Sequence, residues 1–191
     1  MPERLEQHHR PAIAILLQGR RTIHVFKPGR PPRAAVMRAL EAARWAPNHR
    51  LTEPWRFYLL GPETAEAVAV LNAALVTAHR GEAAGAAKLS RWRRVPGWMV
   101  VTCAESEDAH RAREDYAACC CAVQNLMLSL WSEGIGTKWT TGPVTRTDRF
   151  FECIGVDPKA ESVVGLFWYG YPEEVPAQQR KPVKELLFER P

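Results

Sequence analysis

Three stretches of this 191-residue chain place chemically useful residue types close together. The first is Arg20-Arg21-Thr22. Two guanidiniums and a hydroxyl in succession can make charge-assisted, partly bidentate bonds to a phosphate. The plainer alternative is a solvated pair completing the C-terminal dipole of the helix before it. The second stretch, Ala46 to Phe57, puts Asn48, His49, Arg50, Thr52 and Glu53 in a loop between a helix stopped by proline and a strand. Polar side chains on a loop held by rigid elements can read the hydrogen-bonding edge of a ligand. The same Pro and Asn also suit an ordinary connector. The third stretch starts at Gln124-Asn125 inside an apolar helix and continues through Gly134-Ile135-Gly136-Thr137 to Trp139-Thr140-Thr141-Gly142. The two amides require buried partners, and backbone near Gly142 can approach a ligand closely.

Other combinations carry less. Gly134-Ile135-Gly136 follows a helix and precedes a strand, the reverse of a dinucleotide-binding fingerprint. The five cysteines are Cys103, Cys119, Cys120, Cys121 and Cys153. They form no Cys-x-x-Cys pair, and adjacent helical positions point about 100° apart, so the triplet cannot converge on one metal. Their odd number argues against a disulfide framework. They read as small buried hydrophobes, with no metal site expected.

These residues must be positioned by alternating helices and strands. Helices are expected from about Pro11 to Gln18, Arg33 to Trp45, Glu63 to Arg80, Arg111 to Glu133 and Arg146 to Cys153. Strands are expected at Trp55 to Leu60, Trp98 to Cys103, Gly136 to Thr141 and Glu161 to Tyr169. Residues 82–97 read as weakly ordered. The helix beginning at Arg111 is nearly all apolar from Ala117 to Trp131, a pattern that belongs in a core centre or a subunit interface. Gly134 is placed to end it. The alternation implies an α/β or α+β domain with a mostly buried sheet. No internal repeat or linker divides residues 1–191, which read as one domain.

Composition sets the outer limits. The chain is 46% hydrophobic and 25% charged, which excludes a disordered or collagen-like polypeptide. No stretch approaches a membrane span. The polar first ten residues lack a signal-peptide core, so the expectation is a soluble cytoplasmic protein with no membrane partner. Twenty arginines and six lysines against 21 acids leave a net charge of +5. Such an excess can serve nucleic acid, a membrane surface or a small anionic ligand.

Taken in order, the stretches resemble the nitroreductase family of flavin-dependent NAD(P)H oxidoreductases, over nearly the whole chain from Arg20 onward. The resemblance rests on Arg20 to Phe26, on Glu41 to Pro47 followed by Pro54-Trp55-Arg56-Phe57, and on Gln124 to Leu128 with Gly134 to Thr137 and Trp139. Val163 to Phe167 leading into Gly170-Tyr171-Pro172 completes it. The Asn48-His49-Arg50 spelling is similar to that of a compact, short-chain subgroup. Leu51 and Glu53 stand where many members have Asn and Gln. A carboxylate at Glu53 near reduced flavin would need a cation such as Arg50 or Arg56.

The resemblance implies an α+β sandwich, a central, mostly antiparallel sheet flanked by helices. It implies a homodimer with FMN in clefts at the interface. Arg20, Arg21 and Thr22 would hold the FMN phosphate, joined by Arg180 or Lys181. Asn48 and His49 match loop positions near the flavin. Trp139, Thr140, Thr141 and Gly142 match the segment along the ring, with the Gly142 backbone near N5. No protein nucleophile is implied. NADH or NADPH would deliver hydride to N5 in a ping-pong cycle, and a nitroaromatic, quinone or similar small electrophile would remove it. A family member that binds or consumes flavin without NAD(P)H turnover, as in deiodinase-like and flavin-cleaving branches, is the second reading. A remoter one is a nucleic-acid-binding module using Arg91, Trp92, Arg93 and Arg94. That same segment, Lys88 to Arg94, is also a candidate lid supplying cations to an anionic cosubstrate.

Overall fold

The computed structural model describes residues 10–190; the polar stretch at 1–9 lies outside them. Four strands, β1 (Trp55–Leu59), β2 (Gly97–Ala104), β3 (Gly136–Thr140) and β4 (Glu161–Gly170), form one antiparallel sheet in the order β1-β2-β4-β3. Alternation along the strands supplies both faces. Trp98, Val100, Leu166 and Trp168 point into one apolar layer, while Met99, Val101, Val164, Phe167 and Tyr169 point into the other. Both layers are covered, giving the expected α+β sandwich with its central sheet flanked by helices.

On the second face lie α2 (Arg33–Ala43) and α5 (Ala109–Ser132). Asp108 caps α5, accepting from the backbone N–H of His110 and Arg111. Gly134, at φ +73°, closes its other end as the sequence implies. The buried residues of α5 follow a helical stripe: Ala118, Cys119, Ala122, Val123, Leu126, Met127 and Leu130. Positions between them, including Ala117 and Cys121, face outward. The helix is therefore buried along one side rather than all round, and of the cysteine triplet only Cys119 is fully buried. Asn125 Nδ2 donates to the Ala42 carbonyl at 3.3 Å, which gives one of the two helical amides its partner and ties α5 to α2.

On the first face, α3 (Pro62–Arg80), α4 (Glu82–Arg93) and α6 (Asp148–Ile154) cover Trp98 and Trp168. Helix α4 occupies much of the stretch read as weakly ordered. Its small residues have a packing reason: a Cβ on Gly85 would fall 1.8 Å from Thr77 Oγ1, so glycine lets α4 lie directly on α3. Its one large apolar anchor, Trp92, is 4% exposed and meets Trp98 and Trp168 edge-on, with centroids 5.3 and 5.1 Å away. The segment Lys88 to Arg94 is thus the last turns of a packed helix, not a lid. Trp92 is not available to stack on a base. Helix α1 (Arg10–Gly19) has no buried residue; Ile13, Ile15 and Leu17 are exposed.

Three strands are also joined by a polar staple. Glu161 on β4 accepts from Tyr58 on β1 at 2.8 and 2.9 Å and from the buried hydroxyl of Thr102 on β2. Burial and this carboxylate together hold the Tyr58 phenol above its ordinary pKa. On the opposite face, Trp139 of β3 folds over β4 and donates from Nε1 to the Val164 carbonyl at 2.9 Å. It fits because residue 165 has no side chain: a Cβ there would lie 2.2 Å from Trp139 Nε1. Gly165→Ala is therefore expected to cost about 1–3 kcal/mol of stability through overpacking. In a Trp139→Leu background the same alanine should cost much less. Denaturant melts of the four proteins test this coupling, and strictly additive costs would disprove the contact.

Candidate functional site

The first element of the site is the run that leaves α1. Gly19 ends the helix, and the Arg20 N–H still bonds the Leu16 carbonyl. The chain then runs beside β3: Thr22 bridges Thr137 in parallel, and the Ile23 N–H donates to the Thr137 carbonyl at 2.9 Å. Ile23 is fully buried and anchors the run. Just beyond, Phe26 bridges Pro172, Lys27 N–H bonds the Tyr171 carbonyl and Glu173 N–H bonds the Val25 carbonyl. These bonds turn the tail back along residues 20–27.

The returning tail closes a cleft of about 530 Å³ lined by Leu17, Gln18, Arg20, Arg21, Gln178 and Arg180. Among the described residues no carboxylate lines it. Arg21 Nη1 donates to the carbonyls of Gln18 and Arg20 at 2.5 and 2.9 Å, which fixes its guanidinium at the helix end. Arg20 is different. Its Nε is buried with no hydrogen-bond partner among the described residues. Burial, then the neighbouring Arg180 and Arg21 charges, pull its pKa below the ordinary guanidinium value. A buried, unpaired donor among like charges is costly unless an anion meets it. The structure thus brings together Arg20, Arg21 and Arg180. Thr22 and Lys181 are exposed beside the cleft rather than lining it.

The second element is the loop 48–53. A short 3₁₀ turn, His49–Leu51, begins it. Arg50, Leu51 and Glu53 all take positive φ, 60°, 51° and 44°, a conformation that L-residues hold only when their surroundings impose it. Two braces do so here. Asn48 Oδ1 accepts from the Glu53 N–H at 2.7 Å, while its Nδ2 bonds Thr52 Oγ1 at 3.0 Å. Thr52 Oγ1 also donates to Asp115 Oδ1 at 2.5 Å. Asp115, on α5, is 5% exposed. The local sequence does not single it out: Glu114 precedes it, and the pair reads as the solvated start of the helix. Asn48's amide is thus committed within its own loop, and His49 stands exposed with its Nε2 accepting from Arg50 Nε at 3.3 Å. Arg56 Nη1 bonds the Glu53 carbonyl rather than its carboxylate.

The third element ends β3. Trp139 is half-buried against Val164 and Phe167. Thr140 closes the strand, and Thr141 is exposed. The Gly142 carbonyl accepts from the Thr145 N–H at 3.0 Å and hydroxyl at 2.9 Å, starting the 3₁₀ turn Pro143–Arg146. Neither Asn48 and His49 nor Trp139 to Gly142 lines the arginine cleft of the same chain. Among the described residues no group of His, Cys, Asp and Glu is arranged to hold a metal ion, and no helix is long and apolar enough to cross a membrane.

Comparison with known proteins places this arrangement. A Bacillus subtilis (strain 168) protein, YfhC, whose name ranks it provisionally as an NAD(P)H nitroreductase, is 31% identical over 99% of this chain and 100% of its own. A nitroreductase-like family protein from Bacillus cereus superposes with a TM-score of 0.81 at 29% identity, over 100% of this chain and 98% of that one. The FMN-dependent nitroreductase NfnB from Mycobacterium smegmatis, solved in complex with NADPH, shares the fold at a TM-score of 0.75 and 17% identity, covering 95% and 99% of the two chains. The nitroreductase family model itself matches residues 17–171. The chain therefore belongs to the nitroreductase family.

Proposed function

We propose that this protein is an FMN-dependent oxidoreductase that takes hydride from NADH or NADPH and passes it to a nitroaromatic, quinone or similar electrophile. One observation carries the reading. Among the described residues, the cleft of Arg20, Arg21 and Arg180 holds a buried, unpaired guanidinium donor and no acid, a donor set that fits the dianionic phosphate of FMN. Family membership and the FMN- and NAD(P)H-using relatives support it.

When bound, FMN supplies the two-electron hydride chemistry, so the chain needs no nucleophile of its own. Its residues bind and orient. Arg20, Arg21 and Arg180 would fix the phosphate, with Thr22 and Lys181 at the margin. Asn48 holds its loop in a shape that presents His49, and the backbone at Trp139, Thr140, Thr141 and Gly142 would flank the ring. The Gly142 carbonyl is held by Thr145, which fixes the orientation of this turn.

The second part of the proposal is that the working unit is a homodimer. In one chain the arginine cleft is separate from the loop and the β3 end. The outward positions Ala117 and Cys121 on α5 continue as an apolar stripe to half-buried Leu128, a face only partly covered by the described residues. A second copy would cover that face and bring a loop from one chain to the cleft of the other.

Two results are expected. The purified protein, or the protein reconstituted with FMN, should show a yellow flavin spectrum that bleaches when NADH or NADPH is added without oxygen. A colourless protein that cannot be reconstituted would defeat the proposal, and flavin that stays oxidised would point to binding without turnover. Arg20→Ala combined with Arg180→Ala should weaken FMN retention by at least about a hundredfold, since each charge-assisted contact contributes roughly 1.5–3 kcal/mol. Equilibrium dialysis with FMN measures this, and full retention would show that the phosphate lies elsewhere.

A further inference from the structure

A second cationic cleft lies at the other end of the same run of chain. It measures about 400 Å³ and sits between residues 24–28 and the end of α4. Val25, Phe26 and Pro28 give it an apolar wall, and Arg91, Arg94 and His24 stand around them. It shares no lining residue with the Arg20 cleft. The basic cluster at the end of α4 is therefore divided. Arg93 turns away and pairs with Glu66 at 2.5 Å, while Arg91 and Arg94 face the cleft.

Two lysines stand behind these arginines. Lys138 Nζ rests 4.6 Å from the centroid of the Trp168 ring and Lys88 Nζ 5.6 Å from that of Trp92, and the two rings are themselves in contact. Cation–π contact holds both ammonium groups in place. Lys138 is depressed by burial and then by Arg91 and Lys88; Lys88 is depressed by burial and then by Arg91 and Arg80. His24 is held below its ordinary value by burial, Lys138 and Arg91, against a smaller opposing effect of Glu174. The nearby acids are Glu173, which also lines the cleft, and Glu174. Among the described residues neither forms an ion pair with Lys88, Arg91, Arg94 or Lys138. Arg91 and Arg94 at an apolar wall, backed by two lysines and faced by one lining carboxylate, Glu173, that pairs with none of them among the described residues, suit one kind of ligand, an oxyanion carried on an apolar body.

We propose that this cleft is an anion subsite that receives the carboxylate or phosphate group of the reductase's second substrate while Val25, Phe26 and Pro28 receive its apolar part. The identity of the ligand as a substrate rests on the reductase reading; the preference for an oxyanion does not. The acid group can come from the electron acceptor or from the reducing dinucleotide, and the test separates the two.

Calorimetric titration with 4-nitrobenzoate and with its neutral counterpart 4-nitrobenzamide should show the acid binding about tenfold or more tightly. In an Arg91→Gln/Arg94→Gln variant that preference should fall to near one, and in Arg91→Lys, which keeps the charge, it should stay several-fold. If the dinucleotide phosphate is the natural occupant, the double variant should instead change the ratio of KM for NADPH to KM for NADH and leave the benzoate-to-benzamide ratio unaltered. Either pattern supports the subsite. Equal binding of acid and amide by the parent protein, together with an unchanged NADPH-to-NADH ratio in the variant, would overturn it. Loss of FMN from the double variant would also overturn it, by assigning the cluster to the flavin cleft. A protein that takes up no FMN would defeat the reductase reading, and the acid-to-amide titration of that same protein would still decide the subsite.

Discussion

A methyl group on Gly136 would stand 2.4 Å from Cγ1 of Ile23 and 2.9 Å from Cγ of Pro172, closer than real atoms approach. Because residue 136 is glycine, three pieces of chain can meet at the start of β3: the strand, the run leaving α1 and the start of the tail. The Ile23–Thr137 bond and the Phe26–Pro172 bridge are made at this junction. The arginines of the first cleft and His24 of the second are placed relative to it. Arg20 and Arg21 lie on one side of Ile23 and His24 on the other. The tail reaches Arg180 only because it starts from Pro172 beside Phe26. A substituent at 136 would push these segments apart and scatter both clefts together. One packing constraint therefore sets the spacing of two electrostatic features.

Electrostatics then separates structural charge from charge available for binding. Arg38 pairs with Glu133 at 2.5 Å, Arg44 with Glu41 at 2.7 Å and Arg93 with Glu66 at 2.5 Å, all in partly or largely exposed positions. Such pairs are screened by water and contribute little to stability. Arg20, Arg180, Arg91, Arg94, Lys88 and Lys138 have no such partner among the described residues. Desolvation lowers the pKa of Arg20, Lys88 and Lys138, and nearby like charge lowers it further. A folded protein that keeps this arrangement gives up stability at both clefts, and an anion returns it by mass action. The net charge of +5 is therefore not a diffuse polyanion signal. Part of it gathers at two clefts that border residues 20–28.

Much of this was legible in the sequence. Short apolar, β-forming runs located all four strands, and the apolar density of residues 117–131 marked the central helix. The family resemblance implied a clamp of Arg20, Arg21 and Thr22 with Arg180 or Lys181; one cleft is lined by Arg20, Arg21 and Arg180, with Thr22 and Lys181 outside it. What escaped has physical reasons. Helix α4 carries almost no amphipathic signal, because Gly85 and its alanines were selected by close contact with α3 rather than by an apolar stripe. Trp92 sits between basic residues and reads as exposed, yet it is buried against two other indoles. The brace from Asp115 to Thr52 joins residues 63 positions apart, so no local pattern announces it. The cation cluster at Lys138 depends on strand β3 and helix α4 meeting over the tryptophans, which is tertiary information alone.

The apolar surface left uncovered carries the argument to the level of assembly. Ile13, Ile15 and Leu17 on α1 are exposed, and so are Val183, Leu186, Leu187 and Phe188 in the tail. Scattered exposed hydrophobes are ordinary, but these fall in the two segments that also supply Leu17 and Arg180 to the arginine cleft. Helix α5 adds its outward stripe through Ala117, Cys121 and Leu128. A second copy laid on that stripe would bury apolar area along α5. In the proposed dimer each tail could also shield the cleft edge that a lone chain leaves open to water. Excluding water there would strengthen the interaction of Arg20 with an anion, because a guanidinium and a phosphate attract more strongly as the local dielectric falls. Assembly and cofactor affinity would then be linked: the dimer would hold its anion more tightly, and the anion would favour the dimer.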